Sequence, residues 1–191
     1  MTTALLVIDV QRGFDDASFW GPTANPDCEA NVARLIDAWG AAGEPIVVVR
    51  HDSQSPHSPL HPDNPGNALV DQVAAVAPAL VVRKNVNSAF YGDEDLHAWL
   101  TGRGIRNLVL CGIQTNMCVE TTARMAGNLG YDVTVALDAT RTFDLSADVA
   151  GLGPVTRTAA ELMATTALGL QTGGFASIAT TDSLVAAPAQ E

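Results

Sequence analysis

The sequence contains few basic residues, few aromatic residues and no long apolar segment. Of its 191 residues, 10 are Lys or Arg and 21 are Asp or Glu, so the formal net charge is -11. A surface that binds nucleic acid needs clustered Lys and Arg, whereas the basic residues here are scattered. No apolar run approaches the ~18–20 residues needed to cross a membrane. We therefore expect neither nucleic acid nor a membrane as a partner.

Cysteine is also scarce, and its spacing argues against a cysteine-rich framework. The chain has three cysteines, with no CxxC pair and no Cys/His spacing typical of zinc. Free thiols are the default in a reducing compartment, so we do not expect a disulfide scaffold. The amino-terminal segment MTTALLVIDV lacks a basic leader and a cleavage pattern, and it is typical of a first strand. We expect a cytoplasmic protein.

What the chain does contain is an alternation of apolar runs and helical stretches. The middle of each run is nearly all apolar, as in strands of a parallel sheet covered on both faces. The runs span residues 4–10, 45–51, 79–84, 107–113, 132–139 and 175–181. Helices are predicted over residues 26–43, 92–104, 116–130 and 156–170. This alternation predicts a doubly wound α/β fold, with one domain over residues 1–185 and a frayed tail over 186–191.

Two long segments, residues 11–26 and 51–67, are not explained by this scaffold. Both are rich in Pro, Ser, Asp and His, and both follow the carboxyl end of a predicted strand. Loops of that length in a compact domain are usually functional or mobile. Open α/β sheets bind ligands at the carboxyl ends of their strands.

Three polar residues stand at the ends of predicted strands: Asp9, Lys84 and, just beyond LVLCGI, Cys118. If the strands are parallel neighbours, the three side chains converge at one edge of the sheet. A helix N-terminus and a nearby ammonium favour a nucleophilic thiolate, and a carboxylate can carry a proton from the thiol to a leaving amine. The N–H groups of the turn 113–118 suit an oxyanion. Taken singly, the three residues are equally well a loop cap, a surface lysine and a small buried hydrophobe.

Three separated segments, LLVIDVQRGF, KNVNSAF and GIQTNMCVETTARMAGNLGYDVTVALDAT, resemble the isochorismatase-like cysteine hydrolases. The resemblance implies a Rossmann-like, three-layer α/β/α fold whose six-stranded parallel sheet has the order 3-2-1-4-5-6. It implies a catalytic triad of Asp9, Lys84 and Cys118. It also implies a cis peptide between Ile113 and Gln114, and an oxyanion hole formed by the main-chain N–H groups of Gln114 and Cys118.

The same resemblance narrows the activity. The isochorismatases proper cleave a vinyl ether without a cysteine, so Cys118 favours attack on a carbonyl through an acyl-thioester. We expect hydrolysis of a C–N bond in a small amide, ureido compound or lactam, with Asp9 as the base when water enters. Vinyl-ether hydrolysis by Asp9 and Lys84 alone is one alternative. A ligand-binding protein that retained the fold is another.

Nicotinamidases of this superfamily carry a metal site with an Asp-x-His pattern after the second strand. Here that stretch is VRHDSQSPHSPLHPDNPG, and Gln54 follows Asp52 by two where the pattern has His. Asp52, His57 and His61 could still form such a site, but three ligands in a Pro-rich loop are a poor metal prediction. We expect no metal and no other cofactor, and we interpret His51, His57 and His61 as loop residues that shape a lid. A nicotinamidase with this metal site remains the alternative.

Aromatic and amide side chains near strand ends are candidates for lining a substrate pocket. They are Gln11, Phe14, Trp20, Asn87, Phe90, Tyr91 and Phe143. Each aromatic is equally well explained by core or subunit packing. Asp138, in the segment DATRTF that recurs in the superfamily, is expected to be structural. Because members are commonly oligomeric, we expect at least a homodimer, in which loops of a neighbour help to close the pocket on a small-molecule substrate.

Overall fold

Strands and helices alternate along residues 2–186, the part of the chain that the computed structural model describes. The strands are β1 (Thr3–Ile8), β2 (Ile46–His51), β3 (Leu80–Lys84), β4 (Asn107–Ile113), β5 (Asp132–Arg141), β6 (Leu145–Val149), β7 (Gly153–Arg157) and β8 (Ser177–Ala179). The α-helices are α1 (Ala17–Trp20), α2 (Cys28–Ala42), α3 (Asp71–Ala74), α4 (Leu96–Gly102), α5 (Glu120–Asn128), α6 (Ala159–Thr172) and α7 (Thr181–Val185). Apart from Ala186, the predicted tail at 186–191 lies outside the described residues.

Six strands form one parallel sheet in the order β3-β2-β1-β4-β5-β8. Each contains part of one predicted apolar run, so the predicted α/β fold with a six-stranded parallel sheet is confirmed. The last strand of the sheet is the eighth of the chain, not the sixth, which corrects the predicted order 3-2-1-4-5-6. The difference arises because a hairpin precedes it in the chain.

That hairpin consists of β6 and β7, which pair antiparallel outside the main sheet. Every residue of β6 is exposed, and β7 contains no buried residue. The prediction relied on apolar runs, which a strand exposed on both faces does not need. The hairpin also occupies the start of the predicted helix 156–170, and α6 begins only at Ala159, after a capping box formed by Thr158 and Glu161.

The core lies in two layers, one on each face of the sheet. Leu5 and Val7 of β1 enter one apolar cluster and Leu6 and Ile8 enter the other, because successive side chains of a strand point to opposite faces. Helix α2 covers the first face with a buried stripe formed by Val32, Leu35, Ile36 and Trp39. Helices α4, α5 and α6 contribute to the second cluster. No helix within residues 2–186 has the length and apolarity needed to cross a membrane.

Candidate active site

The candidate residues lie where the order of the sheet reverses, between the neighbouring strands β1 and β4. Crevices at such switch points are the usual ligand sites of open α/β sheets. The two strands approach closely at Gly112, where an added Cβ would lie 1.9 Å from the carbonyl oxygen of Ile8 and where φ is +119°. Asp9 directly follows β1 in a left-handed conformation with φ 53°. Glycine at position 112 is thus a condition for the site, since it lets the ends of β1 and β4 meet.

Asp9, Lys84 and Cys118 come together at this edge, although they are far apart in the sequence. The Nζ atom of Lys84 lies 2.6 Å from Asp9 Oδ2 and 3.3 Å from Cys118 Sγ. The other carboxylate oxygen, Asp9 Oδ1, is buried and has no hydrogen-bond partner within the described residues. Asp9 and Lys84 are closed off from solvent, and Cys118 is 8% exposed. Cys118 is therefore the most accessible of these three residues.

His51 is a fourth member of the cluster, and its assignment to a lid was wrong. It ends β2 and is the register partner of Lys84 at the end of β3, so the two side chains lie next to each other. Its Nδ1 lies 3.2 Å from Lys84 Nζ. Since the ammonium donates, Nδ1 accepts and the ring proton is on Nε2. The available signal was its position, because His51 is a polar residue at the end of an apolar strand, as Lys84 is.

Burial dominates the electrostatics of the cysteine. Burial, together with the charge of Asp9, raises the pKa of the Cys118 thiol to about 12, and the Lys84 ammonium only partly opposes this rise. The thiol of the free site is therefore protonated at neutral pH: the Lys84 ammonium favours the thiolate, as expected, but burial and Asp9 outweigh it. Deprotonation of Cys118 must accompany attack on a substrate, and it needs a base within reach.

The other three groups are in states that suit such a transfer. Burial raises the pKa of Asp9 above its ordinary value, although Lys84 opposes the rise, which makes the carboxylate a stronger base. Burial disfavours charge on Lys84, but the neighbouring Asp9 and Cys118 outweigh it and raise the pKa of the ammonium, which stays protonated. Burial and the charge of Lys84 lower the pKa of His51, so its imidazole is neutral at pH 7.

Cys118 lies in a π-helical turn, Thr115–Val119, which joins β4 to α5. The peptide between Ile113 and Gln114, at the start of this turn, is cis. Two threonines hold this turn, one in β5 and one just after it. The hydroxyl of Thr140 contacts that of Thr115 at 2.8 Å. Thr142 Oγ1 donates to the side chain of Asn116. The oxyanion hole formed by the N–H groups of Gln114 and Cys118 stays a prediction.

Gln11, a predicted pocket residue, is completely buried, and its side chain is used within the protein. Its Nε2 donates to the carbonyl oxygens of His51 and Asn67, at 3.0 and 2.8 Å, and its Oε1 accepts from the His51 N–H at 2.9 Å. Gln11 thus joins the two long loops and orients the main chain of His51, and it is closed to a ligand.

Three predicted pocket aromatics, Phe14, Trp20 and Phe143, pack on one another. Their ring centroids lie 4.9 Å (Phe14–Trp20), 5.4 Å (Trp20–Phe143) and 6.0 Å (Phe14–Phe143) apart. Phe14 and Phe143 are buried in the apolar cluster on the α2 face. This stack attaches the first long loop to the chain after β5, which corresponds to the packing interpretation.

The three predicted pocket residues that follow Lys84 lie in different surroundings. The side-chain oxygen of Asn87 lies 3.9 Å from Cys118 Sγ, which places Asn87 beside the sulfur. Phe90 instead stacks on Tyr131 at 5.9 Å, at the start of β5, and Tyr91 is 67% exposed. Phe90 therefore packs against the second apolar cluster of the core, which also contains Cys118, and its ring lies beside Tyr131.

The alternative metal set does not assemble. The Asp52 carboxylate is held by Arg50 and by Asn67 Nδ2, while His57 is exposed and His61 Nδ1 accepts from the Asp63 N–H. Within the described residues, the group of potential metal ligands that lies closest together is Asp9, His51 and Cys118, all within 4.8 Å of one another. The Lys84 ammonium contacts all three residues. The space between their ligand atoms is therefore next to a cation that belongs to the protein itself.

A surface groove of about 590 Å³ lies elsewhere. Its lining includes Leu137 and Asp138 of β5, Ile178 and Ala179 of β8, and Met163 of α6. Asp138 Oδ1 accepts from both the N–H and the hydroxyl of Thr181, at 2.8 and 2.9 Å, which agrees with the structural role expected of it. The groove contains none of the residues around Lys84, so its size is no reason to assign the candidate active site to it.

Comparison with known proteins assigns the chain to a family. The isochorismatase domain model matches residues 3–167. The protein is 37% identical over 142 residues to the uncharacterized isochorismatase family protein YrdC of Bacillus subtilis (strain 168), covering 74% of this chain and 75% of YrdC. It is 34% identical over 154 residues to Nicotinamidase 3 of Arabidopsis thaliana, covering 74% of each.

Solved structures agree with this result. An isochorismatase-family structure from Chromobacterium violaceum ATCC 12472 superimposes with a TM-score of 0.88 at 37% identity, covering 97% of this chain and 92% of that one. The chain belongs to the isochorismatase family of hydrolases.

Proposed function

We propose that this protein is a cysteine hydrolase that cleaves a C–N bond of a small amide, ureido compound or lactam. The observation that carries the proposal is the position of the Lys84 ammonium, 2.6 Å from the Asp9 carboxylate and 3.3 Å from the Cys118 sulfur. It links a buried base to the only one of the three cysteines whose sulfur contacts charged groups.

In the first half-reaction, Cys118 Sγ forms a bond to the substrate carbonyl carbon while its proton passes to Asp9. The free and buried Asp9 Oδ1 suits this role, because its other oxygen is already bonded to Lys84. Lys84 compensates the negative charge that develops on sulfur. The carbonyl oxygen becomes an oxyanion, for which the N–H groups of Gln114 and Cys118 are the proposed donors.

Collapse of that intermediate breaks the C–N bond. The proton held by Asp9 passes to the leaving nitrogen, and an acyl-thioester remains on Cys118. The nitrogen of an amide or ureido substrate departs as ammonia or an amine, whereas the nitrogen of an opened lactam stays attached to the acyl group as a free amine. In the second half-reaction Asp9 takes a proton from a water molecule as that water attacks the thioester. The carboxylic acid product leaves, and the proton returns to Cys118.

Two observations favour this chemistry over vinyl-ether hydrolysis. The thiol, which that reaction does not need, lies within contact distance of Lys84. The name of Nicotinamidase 3 indicates an amide substrate for that relative. A metal-dependent nicotinamidase is less well supported, because Asp52 is occupied by Arg50 and Asn67. The expected homo-oligomer stays a prediction.

The test is ammonia release from a panel of primary amides and ureido acids, and ring opening of lactams followed by mass spectrometry, with pyruvate release from isochorismate measured in parallel. We expect at least one C–N substrate to be turned over by the wild type and by Cys111→Ala, but not by Cys118→Ala. Turnover of isochorismate that survives Cys118→Ala would establish the vinyl-ether alternative. Saturable binding of panel compounds without any turnover would establish a ligand-binding protein.

A further inference from the structure

We propose that His51 is a positioning residue that holds the Lys84 ammonium between Asp9 and Cys118 by accepting its third hydrogen bond. The inference deepens the proposed function and rests on it. An ammonium has three N–H donors, and the described structure offers Lys84 three acceptors. They are Asp9 Oδ2 at 2.6 Å, His51 Nδ1 at 3.2 Å and Cys118 Sγ at 3.3 Å.

The position of His51 is built into the fold. Its main-chain N–H and carbonyl both bond to the side chain of buried Gln11, and the carbonyl also accepts from Asn67 Nδ2 at 3.1 Å. A fully buried glutamine that donates to and accepts from the main chain of one residue fixes the position of that residue, because any displacement would leave these buried groups unpaired. Gln11 and Asn67 belong to the two long loops, so both loops converge on His51.

A neutral acceptor suits this position better than a charged one. The charged or titratable groups that face His51 are Lys84 from β3, Asp9 after β1, Cys118 from the π-helical turn, and Asp52 next in the chain. Asp9 already balances the charge of Lys84. A second carboxylate in place of His51 would compete with the sulfur for the ammonium and hold the thiol proton more tightly.

The inferred effect on the reaction follows from this geometry. Without an acceptor at position 51, one N–H of Lys84 is left unpaired in a buried site, which disfavours the charged form of the amine. The amine then loses part of its proton or turns toward Asp9 alone. In both cases the sulfur loses the positive charge that it needs when it attacks, so the chemical step slows while substrate binding is preserved.

The test compares His51→Asn with His51→Leu. Asparagine places Oδ1 as many bonds from the main chain as Nδ1 of histidine and so retains an acceptor, whereas leucine fills similar space without one. His51→Ala is a second acceptor-free variant, to be used if the leucine protein does not fold. His57→Asn and His57→Leu are matched controls at an exposed histidine of the same loop.

The first measurement needs no substrate. Lys84 is the only lysine of the chain, so protein labelled with [15N]lysine gives one Nζ signal, which reports on this ammonium alone. We expect proton exchange at Nζ to be similar in the wild type and in His51→Asn, and at least ~10-fold faster in His51→Leu. Alkylation of Cys118 by iodoacetamide at pH 8, followed by peptide mass spectrometry, should be ~10-fold slower in His51→Leu only.

The second measurement is kinetic, on whichever substrate the amide panel identifies. We expect kcat to fall ~10–100-fold in His51→Leu with little change in KM, and to recover largely in His51→Asn. A rise in KM alone would make His51 a substrate contact and overturn the proposal. Equal defects in the Asn and Leu variants would show that the ring shape matters and not the acceptor.

The two proposals fail in different ways. If no amide is hydrolysed, the proposed function is wrong, yet the Nζ exchange and alkylation rates still decide whether His51 holds the ammonium. Unchanged exchange and alkylation in His51→Leu overturn the positioning role, even if the wild type proves to be an active amidase.

Discussion

Cys111 and Cys118 lie seven residues apart, one inside strand β4 and the other in the turn that follows it. Both are buried, and burial raises the pKa of both thiols. Cys111 Sγ has the carbonyl oxygen of Leu6 as a weak partner at 3.7 Å, within the apolar cluster on the α2 face. Cys118 Sγ contacts Lys84 Nζ and lies near Asn87. Burial therefore does not distinguish a structural thiol from a candidate nucleophile, but the groups around the sulfur do.

The difference has a simple geometric origin. Cys111 is held within the regular part of β4, where its side chain enters the core. Cys118 comes after the sheet has ended, where the chain is free to turn its side chain toward the residues that follow β1 and β3. The same short segment thus supplies both a packing residue and a reactive group, and the change occurs at Gly112 and the turn.

The strongest test of the difference between Cys111 and Cys118 is to replace the sulfur by oxygen at each of the two positions. Cys118→Ser should lower kcat for amide hydrolysis by on the order of 10³-fold or more, because a hydroxyl is far less acidic than a thiol and is harder for Asp9 to deprotonate. Cys111→Ser should leave kcat within a few-fold and cost about 1–3 kcal/mol of stability, because a hydroxyl enters apolar packing. Steady-state kinetics and urea unfolding measure the two effects. Equal losses of activity would refute the distinction.

Removing the ammonium tests what makes the Cys118 environment special. Lys84→Met leaves the Asp9 carboxylate buried and uncompensated, so we expect a loss of about 3–5 kcal/mol in the free energy of unfolding, together with loss of activity. Without Lys84 the folded-state pKa of Asp9 is raised further, so the stability of the variant should increase as pH falls and decrease as pH rises through that pKa. Urea unfolding between pH 4 and 8 measures this slope.

The exposed neighbour Arg83 provides the control for that experiment. Arg83→Met removes a positive charge from the same strand without touching the cluster, and it should change neither the pH slope nor kcat appreciably. A Lys84→Met protein that is as stable as Arg83→Met at pH 7 would contradict a tight buried ion pair with Asp9.

Gly112→Ala tests whether the close contact between β1 and β4 is needed to position Cys118 in the site, while Cys111 remains in the core. A methyl group 1.9 Å from the Ile8 oxygen, at φ +119°, cannot be accommodated without moving the strands apart. We expect a loss of about 3 kcal/mol or more in stability, and a drop in activity in any protein that folds. Gly102→Ala is the control, because an added Cβ there meets nothing within 4 Å. Thermal unfolding that is alike in the two variants would contradict the argument.

The last prediction, which needs no variant, concerns the pH dependence of the two thiols. Because the pKa of Cys118 is raised to about 12, its thiolate fraction at neutral pH is small and grows as pH rises. Its alkylation by iodoacetamide should therefore accelerate about tenfold per pH unit from pH 7 to 10, without the plateau near pH 9 of an ordinary thiol. Cys111, at 0% exposure, should stay unmodified while the protein is folded. A plateau for Cys118 by pH 8 would show that the ammonium outweighs burial.

Sequence reasoning reached Asp9, Lys84 and Cys118 because each follows an apolar run, and parallel strands bring such positions to one edge. The same rule applies to His51, which ends β2. However, the polar segment HDSQSPH, which begins at His51, favoured the interpretation of a lid or of metal ligands. Gln11, whose amide is used within the protein, was misplaced for a related reason. A position near the end of a strand predicts the edge of the sheet at which the main chain of a residue lies. It does not predict the direction in which the side chain points.

The residues by themselves determined the alternation of buried strands and helices, because burying apolar runs on both faces leaves few arrangements other than a parallel sheet between helical layers. They also determined which polar groups reach its carboxyl edge. Only the tertiary structure decided the cluster itself: that His51 shares the Lys84 ammonium, that the thiol rests protonated and that β6 and β7 stand apart from the sheet. These properties depend on distances of a few ångströms and on exclusion of water between segments far apart in the chain, and local sequence patterns do not encode either.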